Sequence, residues 1–188
     1  MKGNPDVPAY ADDVFSYGAG HMDPVKAIDP GLIYDAREED YVDFLCGQRY
    51  EGEVLEAITG HRLITCPERR IESKDLNYPS ITKGMTPAET SGTPFAVNFT
   101  RTLTNVGTPA RSTYKATLAR QHPSWKTTIQ PSTLQFQALG EKKTFVVTVT
   151  GAWINGTRTF DTAILWSDGV HNVRTPLVLY SNLEYFMY

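Results

Sequence analysis

Phe95, Val97, Phe99 and Leu103 alternate along the chain with Ala96, Asn98, Thr100, Thr102 and Thr104. Side chains of a strand point to opposite faces in turn, so this run is predicted as a half-buried strand with one apolar and one polar side. The same period returns at Tyr114, Ala116 and Leu118, at Trp125, Thr127 and Ile129, at Phe145, Val147 and Val149, and at Phe160, Thr162, Ile164 and Trp166. Asp168-Gly169, between residues 163–166 and 170–180, is a hairpin signal because glycine accepts the positive φ that tight hairpin turns demand. Roughly seven or eight turn-separated strands predict a mainly β chain built as an antiparallel β-sandwich. No helix-period segment falls between these runs, which disfavours a parallel α/β sheet. An aromatic share of 11%, with 10 Tyr and 8 Phe, fits pleated, half-buried strands.

Ahead of residue 76 the pattern changes. Residues 1–35 are punctuated by Asn4-Pro5, Gly18-Ala19-Gly20, Asp23-Pro24 and Asp29-Pro30-Gly31, turn signals around short apolar pieces. Phe15, Tyr17, Ile28, Leu32, Ile33 and Tyr34 have no periodic partner segment nearby and are expected to pack against something outside this chain. Asp35 with Glu38 reads as a capping box that opens a helix over 36–46, with Tyr41, Val42, Phe44 and Leu45 as its apolar stripe and Gly47 as a left-handed stop. A second short helix is expected over 53–59, closed by Gly60. In Asp75-Leu76-Asn77-Tyr78-Pro79-Ser80, a pre-proline extended stretch and side chains suited to bonding their own backbone open a strand.

The 188 residues include 40% hydrophobic and 21% charged side chains, far from the signature of disorder. A net charge of -3 and a pI near 5.8 provide no broad positive field, so nucleic acid is not an expected partner. No apolar stretch approaches the ~20 residues of a spanning helix, so no membrane partner is expected. Residues 1–13 lack the apolar core of a signal peptide, which leaves either a cytosolic protein or a chain whose start is missing.

A serine hydrolase needs a nucleophile, an imidazole base and a carboxylate that orients the base. His21, His61, His122 and His171 sit in no nucleophile context, and no glycine-flanked serine elbow is present. Ser112, Ser132 and Ser167 fall at strand edges or turns, where a hydroxyl bonds backbone, so no catalytic residue is assigned. His21 follows a small-residue loop able to present an imidazole, but a lone histidine there reads more simply as a turn residue bonded to backbone. Cys46, Cys66, His61 and His21 lack the close paired spacing of a structural zinc site, so neither metal nor cofactor is expected. Cys46 and Cys66 can make one bridge or stay two buried thiols, and counting leaves both open. Asn98-Phe99-Thr100 and Asn155-Gly156-Thr157 make Asn98 and Asn155 candidate N-glycosylation sites, with Asn98 on the polar face of its strand. Trp125, Trp153 and Tyr180 offer an alternative function, a free-standing extracellular module that binds peptide or polysaccharide through aromatic side chains.

An ordered series of motifs runs through the chain. It begins with Tyr17-Gly18-Ala19-Gly20-His21-Met22-Asp23-Pro24, Asp29-Pro30-Gly31-Leu32-Ile33-Tyr34-Asp35 and Tyr41-Val42-Asp43-Phe44-Leu45-Cys46-Gly47. Ile58-Thr59-Gly60, the Asp75 to Ser80 stretch, Arg101-Thr102-Leu103-Thr104-Asn105-Val106-Gly107 and Ser112-Thr113-Tyr114 follow. Leu139-Gly140-Glu141-Lys142-Lys143 and Leu165-Trp166-Ser167-Asp168-Gly169-Val170-His171 complete it. Together they resemble the carboxy-terminal third of plant subtilisin-like serine proteases, the cucumisin-like subtilases of peptidase family S8. Each motif alone is weak, and the ordered set is specific.

The resemblance implies a division of the chain. Residues 1–35 would be a remnant of the subtilisin-type α/β catalytic domain, 36–74 a helical connector, 75–181 a fibronectin type III-like β-sandwich and 182–188 a tail without assigned role. The family's catalytic residues all precede the point that matches Met1, so none carries over. This chain alone is therefore not expected to be an enzyme, while its parent would be a serine endopeptidase secreted to the apoplast or cell wall. A disulfide between Cys46 and Cys66 is also implied. So are two partners: the subtilisin-type catalytic domain, in cis in the parent or in trans, and a second copy in a homodimer. The module's expected work is to support the folding, activity or self-association of that catalytic domain.

Overall fold

The structure is a computed structural model and describes residues 15, 18–60, 64–68, 71–86, 89, 92–153 and 159–181. A short strand β1 (Leu32–Ile33) precedes two helices, α1 (Glu38–Gly47) and α2 (Gly52–Thr59). Then come β2 (Ile81–Met85), β3 (Pro94–Asn105), β4 (Ser112–Leu118), β5 (Trp125–Gln130), β6 (Thr133–Phe136), β7 (Lys142–Ala152), β8 (Thr159–Ser167) and β9 (Asn172–Ser181). They make two sheets, ordered β1-β3-β7-β5 and β2-β9-β8-β4-β6.

The alternation around Phe99 is realised: Val97, Phe99, Arg101 and Leu103 are buried, whereas Ala96, Asn98 and Thr100 are exposed. β3 and β7 run antiparallel over their whole length, from Pro94 opposite Ala152 to Thr104 opposite Lys142. Phe99, Leu103, Phe145 and Val147 from one sheet share a core with Tyr114, Ile164, Trp166, Leu177 and Leu179 from the other. The Phe145 and Trp166 rings meet edge to face at 5.1 Å between centroids. Each such side chain taken out of water contributes about 1.5–3 kcal/mol, so this interior is the main source of stability. The sandwich is the expected one with an addition: β2 runs parallel to β9, from Ile81 beside Leu177 to Met85 beside Ser181. That pairing closes the edge of β9 with the strand that leaves the connector.

Several local expectations are corrected. Leu32 and Tyr34 do not wait for an outside surface, because β1 pairs with the end of β3, Leu32 opposite Asn105, and drops Leu32 into the sandwich core with Tyr34 packed beside it. Ile28 is exposed and Phe15 half-exposed against the Tyr180 ring, while Tyr17 lies outside the described residues. α1 begins later than expected. Asp40, not Glu38, accepts the N–H of the capping residue Arg37 at 2.7 Å, because the Asp35 carboxylate is taken by Lys142 Nζ at 2.6 Å. Gly47 lies inside α1, and its missing Cβ leaves room for the Ile71 carbonyl, which a side chain there would meet at 2.3 Å. Gly60 does stop α2 with a left-handed φ of 73°. The turn between β8 and β9 spans residues 168–171 rather than two residues, because one Asp168 carboxylate oxygen accepts the N–H groups of Val170 and His171.

Candidate functional site

The junction between residues 18–35 and the sandwich gathers the chain's most constrained polar groups. His171, at the end of the β8–β9 turn, is 8% exposed. Its Nδ1 lies 2.9 Å from Asp168 Oδ2 and 3.3 Å from the Tyr114 hydroxyl. Its Nε2 lies 3.4 Å from Asp29 Oδ1, which belongs to the amino-terminal segment. The other Asp29 oxygen accepts the Thr108 hydroxyl at 2.7 Å. Close backbone approach makes this possible. Gly31 has φ 79° and lies so near the ring that a Cβ there would sit 2.7 Å from His171, and a Cβ on Gly107 would sit 2.7 Å from the Gly31 Cα. The Gly31 carbonyl accepts the Val106 N–H at 2.9 Å.

The electrostatics follow from this geometry. The hydrogen bond to Asp168 raises the His171 pKa above its ordinary 6.5, burial works against it, and Asp29 adds to the rise. Burial would raise the Asp168 carboxyl, but hydrogen bonds from the His171 ring and from the N–H groups of His171 and Val170 outweigh it and hold it at about 2. Burial pushes the Tyr114 hydroxyl up, so it stays neutral. Carboxylates flank both ring nitrogens, the Ser167 hydroxyl donates to the His171 carbonyl at 3.0 Å, and the hydroxyl beside the ring belongs to Tyr114, so no serine hydroxyl meets the imidazole here. The site sets one imidazole between two carboxylates and joins two stretches of chain.

A second polar knot fastens the connector. Arg101, 3% exposed, donates from its guanidinium to the carbonyls of Lys74, Tyr78, Ser80 and Thr100. Asp75 Oδ1 accepts the Thr100 N–H at 2.9 Å, and Asn77 accepts the Thr102 N–H at 2.8 Å while donating to its carbonyl at 2.9 Å. These side chains bond the free edge of β3 rather than their own backbone, standing in for a neighbouring strand. Buried Asn105 donates to the carbonyls of Ala110 and Ala138 and accepts the Gly107 N–H, which shapes the turn that receives Gly31.

Residues 75–179 match the family profile described as the fibronectin type-III domain, more than half of the chain. The chain belongs to that family. Over a longer span it resembles plant proteases, in which the fibronectin type-III domain forms the carboxy-terminal region. It is 44% identical over 174 residues to subtilisin-like protease SBT4.13 of Arabidopsis thaliana, covering 92% of this chain and 23% of that protein. Against subtilisin-like proteases SBT4.12 and SBT4.3 of the same plant the identities are 43% and 42%, covering 90% and 96% of this chain. The chain thus spans about a quarter of the length of the curated relatives it matches.

Within the fibronectin type-III domain, Asn98 stands exposed on the outer face of β3, opposite Thr148 of β7. Asn155 lies outside the described residues, as does His61. The structure joins Cys46 and Cys66 in a disulfide, with their Cα atoms 5.6 Å apart, tying α1 to the loop after α2. His21 is exposed. His122 lies against the Trp125 ring at 5.1 Å, and its Nδ1 accepts the Ser124 N–H. Among the described residues no group of His, Cys, Asp and Glu is placed to hold a metal ion, and no helix is long and apolar enough to cross a membrane. Of Trp125, Trp153 and Tyr180, proposed from sequence as a binding face, the two tryptophans are 2% and 4% exposed and pack on each other at 4.9 Å, while Tyr180 is half-buried against the Phe15 ring. Sequence reasoning weighed His171 only as a base without a nucleophile and named Asp29, Asp168, Arg101 and Asn105 only within turns or motifs, giving none of them a role at this junction. The one usable cue was the Asp168-Gly169 turn signal, which sets Asp168 three positions before His171.

Proposed function

We propose that this chain is the non-catalytic carboxy-terminal module of a secreted subtilisin-like serine endopeptidase and supports the folding, activity or self-association of its catalytic domain. The observation that carries this reading is 42–44% identity to subtilisin-like proteases over at least nine-tenths of the chain, combined with a buried His171 ring that faces Asp168, Asp29 and the Tyr114 hydroxyl rather than a serine. The junction supports it further. Residues 18–35 are laced to the sandwich by β1, by the Tyr34–Thr175 hydroxyl pair, by Asp35 with Lys142 and by Arg174 bonding the Ala19 carbonyl at 3.1 Å. The same segment turns Met22, Val25 and Ile28 outward, fully or largely exposed. An apolar edge on a segment so firmly held suits contact with a protease domain that precedes it.

The test is capture in trans. Immobilised chain should enrich a subtilisin-type catalytic domain from a close relative that lacks its own carboxy-terminal region, and equal recovery on an unrelated fibronectin type-III domain would refute the reading. A serine-directed covalent probe should leave the chain unlabelled. Secretion in a plant host should place a glycan on exposed Asn98, read as a mass increment lost in Asn98→Gln. A binding module for peptide or polysaccharide has weaker support, since burial of Trp125 and Trp153 removes the aromatic platform that it would need.

A further inference from the structure

We propose that Asp29, His171 and Asp168 form a proton-dependent clasp that holds the Asp29-Pro30-Gly31 loop on the sandwich at mildly acidic pH and loosens it when the His171 ring gives up its proton. Every participant lies on this chain, so the clasp stands or falls independently of the protease reading.

The argument begins with hydrogen-bond capacity. An imidazolium has two N–H donors, whereas neutral imidazole has one donor and one lone pair. His171 faces carboxylate oxygens with both nitrogens, Asp168 Oδ2 at 2.9 Å and Asp29 Oδ1 at 3.4 Å. Only the protonated ring satisfies both. When it loses its proton, one carboxylate faces a lone pair, and the two cannot escape equally. Asp168 is pinned by the Val170 and His171 N–H groups within its own turn and its side chain is 9% exposed, while Asp29 is 43% exposed and held otherwise by Thr108. The Asp29 contact is therefore the one that yields. The loop it carries has no slack in place, because the Gly31 backbone lies against both the His171 ring and Gly107. Moving Asp29 away moves Gly31 as well and strains the Val106 N–H bond to the Gly31 carbonyl.

The titratable groups facing His171 are Asp168 from the β8–β9 turn, Asp29 from the amino-terminal segment and Tyr114 from β4. Tyr114 stays neutral throughout, so the window is set by the other three. A raised folded-state histidine pKa gives stability that is fully present below about pH 6.5 and is lost as pH rises through the raised value. Asp168, held at about 2 against an ordinary 3.8, gives stability that is present above about pH 4 and is lost as pH falls toward 2. The clasp is tightest between these limits.

Amide exchange by NMR on the full 188-residue chain tests it, with Val106 as reporter and Val147, in the middle of β7, as control. After correction for intrinsic exchange, Val106 protection should be at least about fivefold lower at about pH 8 than at about pH 5.5, with Val147 unchanged. Asp29→Asn, at a half-exposed position, keeps a hydrogen-bonding group toward Nε2 in either ring state and should bring the ratio of Val106 protection between the two pH values close to one. His171→Gln should do the same, and if that variant fails to fold, Asp29→Asn decides. A smaller ratio in the native chain, an equal fall at Val147, or an undiminished ratio in Asp29→Asn overturns the proposal.

Discussion

In the sandwich Trp166, Tyr114, Phe99 and Phe145 are buried, with Phe145 against Trp166 and Tyr114 against Phe136 edge to face, whereas among described residues 18–74 only Gly31, Leu32, Cys46 and Leu55 are buried. The first region has its own interior. The second borrows one: Leu32 enters the sandwich core, Arg101 reaches out of β3 to hold the carbonyls of Lys74, Tyr78 and Ser80, and a disulfide ties α1 to the loop beyond α2. Apolar burial is non-directional and scales with area, so it stabilises a whole domain cooperatively. Hydrogen bonds and a covalent tie fix specific points and leave the stretches between them to open locally. The amino-terminal part is therefore a strap attached to a body.

Three variants and one control set the two regions against each other. The largest effect is expected from Trp166→Ala, which empties the centre of the sandwich and should cost about 4 kcal/mol of global stability, read by urea unfolding. Strap and body should unfold together. Loss of the strap alone would break the comparison. Arg101→Met comes next, at about 3 kcal/mol, because it leaves buried carbonyls without a donor. Hydrogen exchange should show residues 71–80 opening before the β3–β7 spine, and a uniform change would mean that the knot belongs to the body. Joint Cys46→Ser and Cys66→Ser replacement removes the constraint on a loop of 20-residue separation and should cost about 2–3 kcal/mol, confined to the helices. Limited proteolysis should then cut between α1 and α2 while the sandwich melts at its original temperature. Smallest of all is Lys142→Ala. Its partner Asp35 sits in a pair open to water, with both side chains about a third or more exposed, so no measurable change in melting temperature is expected. A clear drop would show that surface charge, and not the buried knot, holds the strap.

The body was legible in the sequence because its information is local. Alternation at Phe95 to Leu103 and at Phe145 to Val149 reports a strand with one dry face, whatever the partner, and the turn residues mark where each strand ends. The two short helices were legible for the same reason, although their caps were not. Asp35 looks like a cap in sequence, and only the arrival of Lys142 from β7 draws it away. Leu32 and Tyr34 looked orphaned because their partners, Asn105 and Thr175, stand 73 and 141 positions away.

By itself, the sequence determined the alternating strands, the sandwich class, the two short helices and, through the ordered motifs, the family resemblance. The tertiary structure alone decided that β2 runs parallel to β9, that Arg101 is a buried knot and that Asp29 faces His171 across the junction. Periodicity records which way a side chain points relative to its own backbone. Long-range polar contacts depend on where distant segments meet, and a lone aspartate or arginine looks the same in sequence whether it ends in water or in the core.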